Sequence, residues 1–213
     1  MISEIATQLT NTFLSSVQYA DKVAGLVTPM KKMVNKVEKT FPVAINTPTT
    51  CNMSVFTDLV PDSSKKSIIY CEKVGEMLME SLNINFWIVN ARLRLICWYN
   101  LDLINEGNYV DEGVVADNLL SQIPRSLPNS SFTYVSNVRL YPQSVISGAE
   151  IFSKYTYDEV KDQYITHPYG AFAINIDVQY VLNKCAETLL TSPKCGNTGY
   201  VAPVPDIVEF IPS

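Results

Sequence analysis

The side chains that could carry acid–base or metal chemistry are few and scattered along this sequence. The single histidine, His167, stands directly before Pro168. A catalytic or zinc-binding histidine needs partners at a recognisable spacing, and none is present, so we expect a structural role for His167. Phosphate-binding, dinucleotide-binding, nucleophile-elbow and calcium-loop motifs do not occur in the sequence. The sequence therefore predicts a protein that is not an enzyme and that holds no cofactor or metal.

Carboxylates form two loose groups, which comprise Asp102, Glu106, Asp111 and Glu112 in the first and Asp158, Glu159 and Asp162 in the second. An acid–base pair or a metal site is one interpretation of such groups. The first group, however, flanks a predicted turn, and the second lies at a predicted helix N-terminus, where acidic side chains stabilise the helix dipole. The structural interpretation accounts for both groups without a ligand.

Two arginines, Arg92 and Arg94, interrupt a strongly apolar stretch. A charge in the middle of a buried strand must reach solvent or pair with an opposite charge. Two interpretations stay open: a salt bridge to a neighbouring subunit, or a cross-strand pair within one chain. We place Trp98 with these arginines at a predicted subunit interface.

Alternation of side-chain type identifies the stretch at residues 83–101 as a long strand. Its odd-numbered side from Trp87 to Leu101 is apolar, while the even-numbered side mixes apolar residues with Asn90 and the two arginines. A strand of this length is expected to extend from the body of the domain as a hairpin arm, or to bend at a bulge. A second strand, at residues 170–182, has an apolar face from Phe172 to Leu182 and a polar face that includes Asp177.

The remaining elements are predicted from caps and breakers. An amphipathic helix begins near Ser3 and ends at Gly25, and Thr28-Pro29 opens a second helix that continues to about residue 39. That helix carries Lys31, Lys32, Lys36 and Lys39, interpreted as a solvated face or as a contact to phosphate or an acidic partner. Residues 41–64 are expected to be loop or short edge strands.

The predicted hairpin comprises a strand at residues 66–73, a turn at Gly75 and a return strand at 76–80. A short helix follows Asp111 and ends at Pro124, and residues 132–146 form a strand or two interrupted at Pro142. A capping box at Thr156 and Glu159 predicts a last helix over residues 157–165.

Composition limits the cellular context. The chain has 213 residues, 47% of them hydrophobic, and a net charge of −5, which argues against non-specific attraction to nucleic acid over the whole surface. We expect a cytosolic product, because there is no signal peptide and no apolar run of membrane-spanning length. The five cysteines favour free thiols, with a Cys185–Cys195 disulfide as the alternative.

These elements predict an α+β fold with a mostly antiparallel sheet and a long β-hairpin, flanked by N-terminal helices and short helices. We expect one domain at residues 1–182, with N-terminal helices at residues 3–39, and an extended C-terminal arm at residues 183–213. The arm contains several prolines and lacks a periodic pattern of apolar residues. We therefore expect it to be ordered only where it packs on a neighbour.

In element order the chain resembles the tail terminator and tail-completion proteins of tailed bacteriophages and the ring proteins of phage necks. The likeness covers about residues 1–182 and rests on the N-terminal helix, the segment KSIIYCEK turning at Gly75 into the long strand, the helix after Asp111 and the closing strand GAFAINIDVQYVL. The chain departs from that pattern in its second N-terminal helix, its Pro/Thr-rich loop and the residues after the last strand.

The resemblance implies a virion protein, assembled in the host cytoplasm, that forms a ring of about six or twelve copies. Adjacent portal, neck or tail proteins would be its partners, and DNA would pass through the channel without sequence-specific binding. Arg92 and Arg94 are expected to face a neighbouring subunit. The expected lumen-facing residues are acidic: Asp102, Glu106, Asp111, Glu112 and Asp177. The alternatives are a cytosolic enzyme, or a module that binds a small molecule or a peptide, with a site that the sequence does not reveal.

Overall fold

The computed structural model describes residues 1–45, 56–83, 85–105, 111–132, 134–158 and 165–183. The helices are α1 (Ile2–Ser16), α2 (Leu101–Asn105) and α3 (Glu112–Ser121), with short 3₁₀ helices at Asn129–Ser131 and Ala149–Phe152. The strands are β1 (Lys22–Val34), β2 (Val37–Ile45), β3 (Phe56–Asp58), β4 (Ser67–Ser81), β5 (Phe86–Asn100), β6 (Val135–Ser147) and β7 (Tyr169–Asn183). No helix of the described residues is long and apolar enough to span a membrane.

All seven strands belong to one sheet, in the order β3-β2-β1-β4-β5-β7-β6. Neighbouring strands are antiparallel except for β1 and β4, which pair in parallel over a short stretch. This arrangement confirms the predicted α+β fold with a mostly antiparallel sheet. It also confirms a short edge strand, β3, within the segment predicted to be loop or edge strand.

Strand β5 is the element around which the sheet is built. It pairs with β7 over its full length, from Phe86 opposite Asn183 to Asn100 opposite Tyr169, and with β4 on its other side. We call residues 67–71 of β4 and 95–100 of β5 the proximal half of this hairpin. Residues 74–81 of β4 and 86–92 of β5 are the distal half.

One face of the sheet, which we call the helix face, is covered by α1 and α3. Helix α1 buries Ile5, Leu9 and Phe13, whose spacing of four residues places them on one side of the helix. Beneath them lie the odd-numbered residues of β5 and the even-numbered residues of β7, as the alternation predicted: Leu93, Leu95, Cys97, Tyr99, Phe172, Ile174, Ile176 and Val178. Each large apolar side chain buried here stabilises the fold by roughly 1.5–3 kcal/mol.

Among the described residues, the opposite face is covered only in the proximal half. There Ile96 and Trp98 of β5 pack in a second core with Phe152, Tyr155 and other residues of the segment after β6. The distal half presents Asn90 and Arg92 on this face, and Arg92 is exposed. We call this uncovered distal region the open face.

The prediction of a second N-terminal helix at residues 28–39 is wrong. Residues 22–34 and 37–45 form the β1–β2 hairpin, with Asn35 and Lys36 both at positive φ (51° and 66°) in its turn. Two consecutive positive φ angles are the geometry of a type I′ turn, in which asparagine is well tolerated. Thr28-Pro29 suggested a helix start, but Pro29 lies inside β1. Of the lysines assigned to the helix, Lys31 pairs with Glu38 at 2.8 Å, and Lys39 bonds to Asp158.

Prolines at residues 29 and 42 are compatible with this hairpin because of their register. Pro29 lies opposite Pro42, and the Pro42 carbonyl accepts a hydrogen bond from the Leu59 amide at 2.9 Å, on the side away from β1. In an antiparallel pair both polar backbone groups of a residue point the same way, so neither proline removes a β1–β2 hydrogen bond.

The predicted turn at Gly75 is also wrong, since β4 continues to Ser81. The register changes between Val74, opposite Arg92, and Leu78, opposite Asn90, which marks a bulge. Gly75 lies in the bulge at a φ of 67°, a conformation that glycine adopts without a steric penalty. The reversal follows Leu82, where the Asn83 side-chain oxygen accepts hydrogen bonds from the amides of Asn85 and Phe86.

Other boundaries were predicted with mixed success. Helix α1 begins before Ser3 and ends at Ser16, because Val17 is extended, while Gly25 lies inside β1. Helix α3 begins after Asp111 as predicted, and β6 passes through Pro142 with a register shift there. Most of the helix predicted at 157–165 and the arm after Asn183 lie outside the described residues.

Candidate functional site

The distal half of the β4–β5 hairpin exposes an unusual number of apolar side chains. Met77, Leu78 and Met79 are consecutive and are 38%, 65% and 49% exposed, and Leu82 at the reversal is 52% exposed. A run of three exposed apolar residues in a folded protein is a liability unless it contacts a partner. We call Met77, Leu78, Met79 and Leu82 the apolar tip.

The same part of β4 has an unpaired edge. Strand β1 pairs with β4 only as far as Leu26 opposite Cys71, and then diverges to pair with β2. Within the described part of the chain, no strand pairs with the outer edge of β4 between residues 73 and 80. Exposed backbone N–H and C=O groups on such an edge can accept an added strand. Leu78 and Met79 point to opposite faces of the strand, so the apolar tip flanks the free edge on both sides.

A groove of about 520 Å³ lies on the open face beside the β4 bulge. Its walls come from four strands and include Gly75, Leu78, Asn90, Arg92, Tyr141 and Asp177. The groove lies where the register of β4 shifts between Val74 and Leu78, and such a bulge bends the strand locally.

Those polar side chains pair across the strands. The Arg92 Nε donates to Asp177 at 2.7 Å, and the Arg94 Nε donates to the Asn175 side chain at 3.2 Å. The Gln179 amide nitrogen likewise donates to Asn90 at 3.1 Å. Of the two interpretations of the arginines, the structure shows pairing within the chain. The hydrogen bond and the charge of Asp177 raise the pKa of Arg92.

The prediction that Trp98 lies at a subunit interface is wrong. Its side chain is 1% exposed and stacks on Tyr169, with ring centroids 5.6 Å apart, in the second core. A side chain enclosed by its own subunit does not contact another subunit. The arginines that share its face lie in the uncovered half, whereas Trp98 lies in the covered half.

The acidic residues predicted to line a channel do not form one group. Asp111 caps α3 by accepting a hydrogen bond from the Val114 amide at 2.9 Å, and Glu112 lies close enough to Tyr99 to raise the pKa of that phenol, after the larger effect of burial. Asp102 is the second residue of α2 and lies ten residues beyond Arg92, and the eight residue steps of β5 from Arg92 to Asn100 alone span about 27 Å. Glu106 lies outside the described residues.

A buried carboxylate, Glu72, was not identified from the sequence. It is 2% exposed on β4 and accepts hydrogen bonds from the Lys154 ammonium and the Tyr155 hydroxyl. Burial, and then the nearby Glu72 charge, raise the pKa of Tyr155 well above its ordinary value. These contacts fix the segment after β6 over the proximal half. Only the alternation of KSIIYCEK, which puts Glu72 on the same face as Tyr70, could have indicated them.

The histidine and the described cysteines, which were the remaining candidates for chemistry, lie in surroundings that indicate a structural role. His167 precedes Pro168, whose carbonyl accepts a hydrogen bond from the Leu101 amide at 2.9 Å, where β7 begins. Cys71 and Cys97 are free and buried, and burial raises the pKa of both thiols. The other three cysteines lie outside the described residues, as does the alternative disulfide. No group of three or more potential metal ligands occurs among the described residues.

The fold and this surface define an α+β protein with a long, partly uncovered hairpin. No protein-family model, curated protein or solved structure matches this chain in the comparisons with known proteins. The functional argument therefore depends on the geometry of the hairpin and on the resemblance in element order.

Proposed function

We propose that this protein is a non-enzymatic structural subunit that assembles with copies of itself through the apolar tip and the free edge of β4. In the specific form of the proposal, about six or twelve copies form a ring in a bacteriophage neck or at the end of a tail. The ring joins portal or head to tail in the virion and surrounds the channel through which DNA passes.

The observation that carries this proposal is the coincidence of the apolar tip with the unpaired edge. The side chains of the apolar tip are 38–65% exposed, so completing the burial of each one stabilises an interface by about half of the roughly 1.5–3 kcal/mol expected for full burial, and an added strand also supplies main-chain hydrogen bonds. Methionine side chains adapt to irregular partner surfaces, which suits Met77 and Met79 to a subunit contact. The resemblance to phage ring proteins supplies the particular assembly.

Two details refine the proposal. Because Arg92 is paired with Asp177, we assign neither of them a main part in the subunit contact or in repelling DNA. We assign the acidic lining of the channel instead to the carboxylates near the proximal end, which include Asp102, Asp111 and Glu112. A net charge of −5 is compatible with DNA that slides past without sticking.

The groove on the open face favours a second candidate, a module that binds a small molecule or a peptide. Its volume of about 520 Å³ lies within the range of ligand sites. Such a protein would be active as a monomer, and its melting temperature would rise on binding its ligand.

Electron microscopy of the purified full-length protein, together with mass spectrometry of virus particles that encode it, tests the proposal. We expect closed rings of uniform copy number and the protein itself among the particle components. A monomer in solution that is missing from the particles would refute the ring and favour the binding module.

A further inference from the structure

We propose that residues 184–213 of one copy bind along the distal edge of β4 and over the apolar tip of a neighbouring copy. This inference rests on the proposed function, because it names the partner segment in the subunit contact. It assigns a role to a segment whose composition gives it no core of its own.

The place where the described chain ends supports this assignment. Asn183, the last residue of β7, pairs with Phe86, and its amide donates to the Tyr134 carbonyl at 3.1 Å. Phe86 begins β5 directly after the reversal of the hairpin, so the chain leaves the sheet at the distal end. Two strand spacings, about 10 Å, separate that point from the free edge of β4.

The direction of the chain favours a neighbouring copy over the same copy. Strand β7 runs from the proximal to the distal end and therefore points away from the body of the domain at Asn183. The 30 residues that follow can span up to about 100 Å when extended. That reach is ample for a subunit packed beside the distal hairpin, towards which β7 already points.

The sequence of the segment matches the surface in chemistry. Residues 207–211, IVEFI, supply four large apolar side chains for the apolar tip, with Glu209 among them. Lys73 is an exposed cation at the start of the free edge.

Two prolines in the segment have a spacing that an added edge strand tolerates. Pro203 and Pro205 are two residues apart, so in a strand their missing N–H groups lie on the same side. If that side faces solvent, the amides of Val204 and Asp206 face β4 and can donate to its free carbonyls. Prolines at adjacent positions would interrupt the ladder.

Photo-crosslinking in the full-length protein tests this inference. A photoreactive amino acid replaces Leu78, which is 65% exposed in the apolar tip, and in a control protein it replaces Leu14, which is 54% exposed on α1. Mixing isotopically light and heavy copies distinguishes crosslinks between copies from crosslinks within one copy. We expect Leu78 to give crosslinks between copies to residues 199–213, at a yield at least about tenfold above the control.

The other outcomes separate this inference from the proposed function. Crosslinks within one copy, crosslinks to another part of the neighbour, or no crosslinks in an assembled sample would overturn the assignment of residues 184–213 and leave the assembly standing. A protein that stays monomeric and gives no crosslinks between copies would overturn both.

A matched pair of substitutions gives an independent reading. Phe210→Asp in the full-length chain places a charge in the apolar part of the segment, and Ser192→Asp adds the same charge elsewhere in it. We expect the first to lower the Leu78 crosslink yield about tenfold and the second to leave it unchanged. Equal yields for both variants would contradict the inference.

Discussion

The proximal and distal halves of the β4–β5 hairpin are made from one continuous pattern of side chains, yet they have different surroundings. In the proximal half both faces are buried, by α1 on one side and by the segment after β6 on the other. In the distal half, residues 75–81 of β4 are all exposed, and the open face carries paired polar side chains. The same local structure therefore serves the core at one end and is available for contact at the other.

This difference shows that exposure in the hairpin is set by which elements cover it and not by strand pattern. Ile96 and Trp98 are buried because Phe152 and Tyr155 pack over them, while Met77 and Met79 have no comparable cover among the described residues. Apolar residues left uncovered on a well-formed strand are best explained by a partner.

The largest expected effect concerns the two faces of β7. Ile176 is fully buried on the helix face, whereas its neighbour Asn175 lies on the other face between Arg94 and Ser144. We expect Ile176→Asp to lower the free energy of unfolding by at least about 4 kcal/mol, since it buries an unpaired charge, and Asn175→Asp to change it by about 0.5 kcal/mol. Urea denaturation measures both. Equal losses would overturn the assigned faces.

Replacing each of the two tryptophans by alanine compares how much each half of the hairpin contributes to stability. Trp98→Ala should lower the free energy of unfolding by about 3–5 kcal/mol, because it leaves a large cavity in the proximal half, where both faces of the sheet are buried. Trp87 is only partly buried in the distal half, and its replacement by alanine should cost about 1–2 kcal/mol. Thermal unfolding followed by circular dichroism provides the test. A greater loss for Trp87 would mean that its own subunit encloses Trp87 more fully than Trp98.

Much of this fold follows from periodicity, and the failures have physical causes. Strand β7, helix α3 and the helix face of β5 were predicted because one periodic pattern spans each element. The β1–β2 hairpin was missed because Asn35 and Lys36 form its turn without glycine. Thr28-Pro29 also has the sequence of a helix start, and Met33, Val34 and Val37 have a helical spacing.

The candidate site was predicted less well than the fold. Alternation placed Trp98 and Arg92 on the same side of β5, but which part of that side is covered depends on the distant segment containing Tyr155. Likewise, the sequence around Met77 does not show that β1 leaves β4 after Cys71. Both facts arise from contacts between residues far apart in the chain.

A smaller effect should appear at alkaline pH in the proximal half. Burial raises the pKa of Tyr70 and Tyr155 above the ordinary value near 10. Their contribution to stability is complete below pH 10 and declines above it, because the unfolded chain ionises first. Each tyrosine should therefore lower the free energy of unfolding by about 1.4 kcal/mol for every pH unit above 10.

Urea denaturation at pH 8 and pH 11 measures this decline, with Tyr155→Phe as the matched variant. The variant should lose about 1.4 kcal/mol less than the wild type between these two pH values. An unchanged pH dependence in the variant would show that Tyr155 ionises normally in the folded protein.

The native mass of the full-length protein tests the central claim, that the distal hairpin is the assembly surface, most directly. Met79→Ser/Leu82→Ser alters two apolar residues of the tip, and Leu14→Ser/Val114→Ser alters two residues of similar exposure on α1 and α3. We expect the wild type and the helix variant to have the mass of a ring of about six or twelve subunits, and the hairpin variant to be a folded monomer. A hairpin variant that keeps the wild-type mass, or a monomeric wild type, would contradict the account.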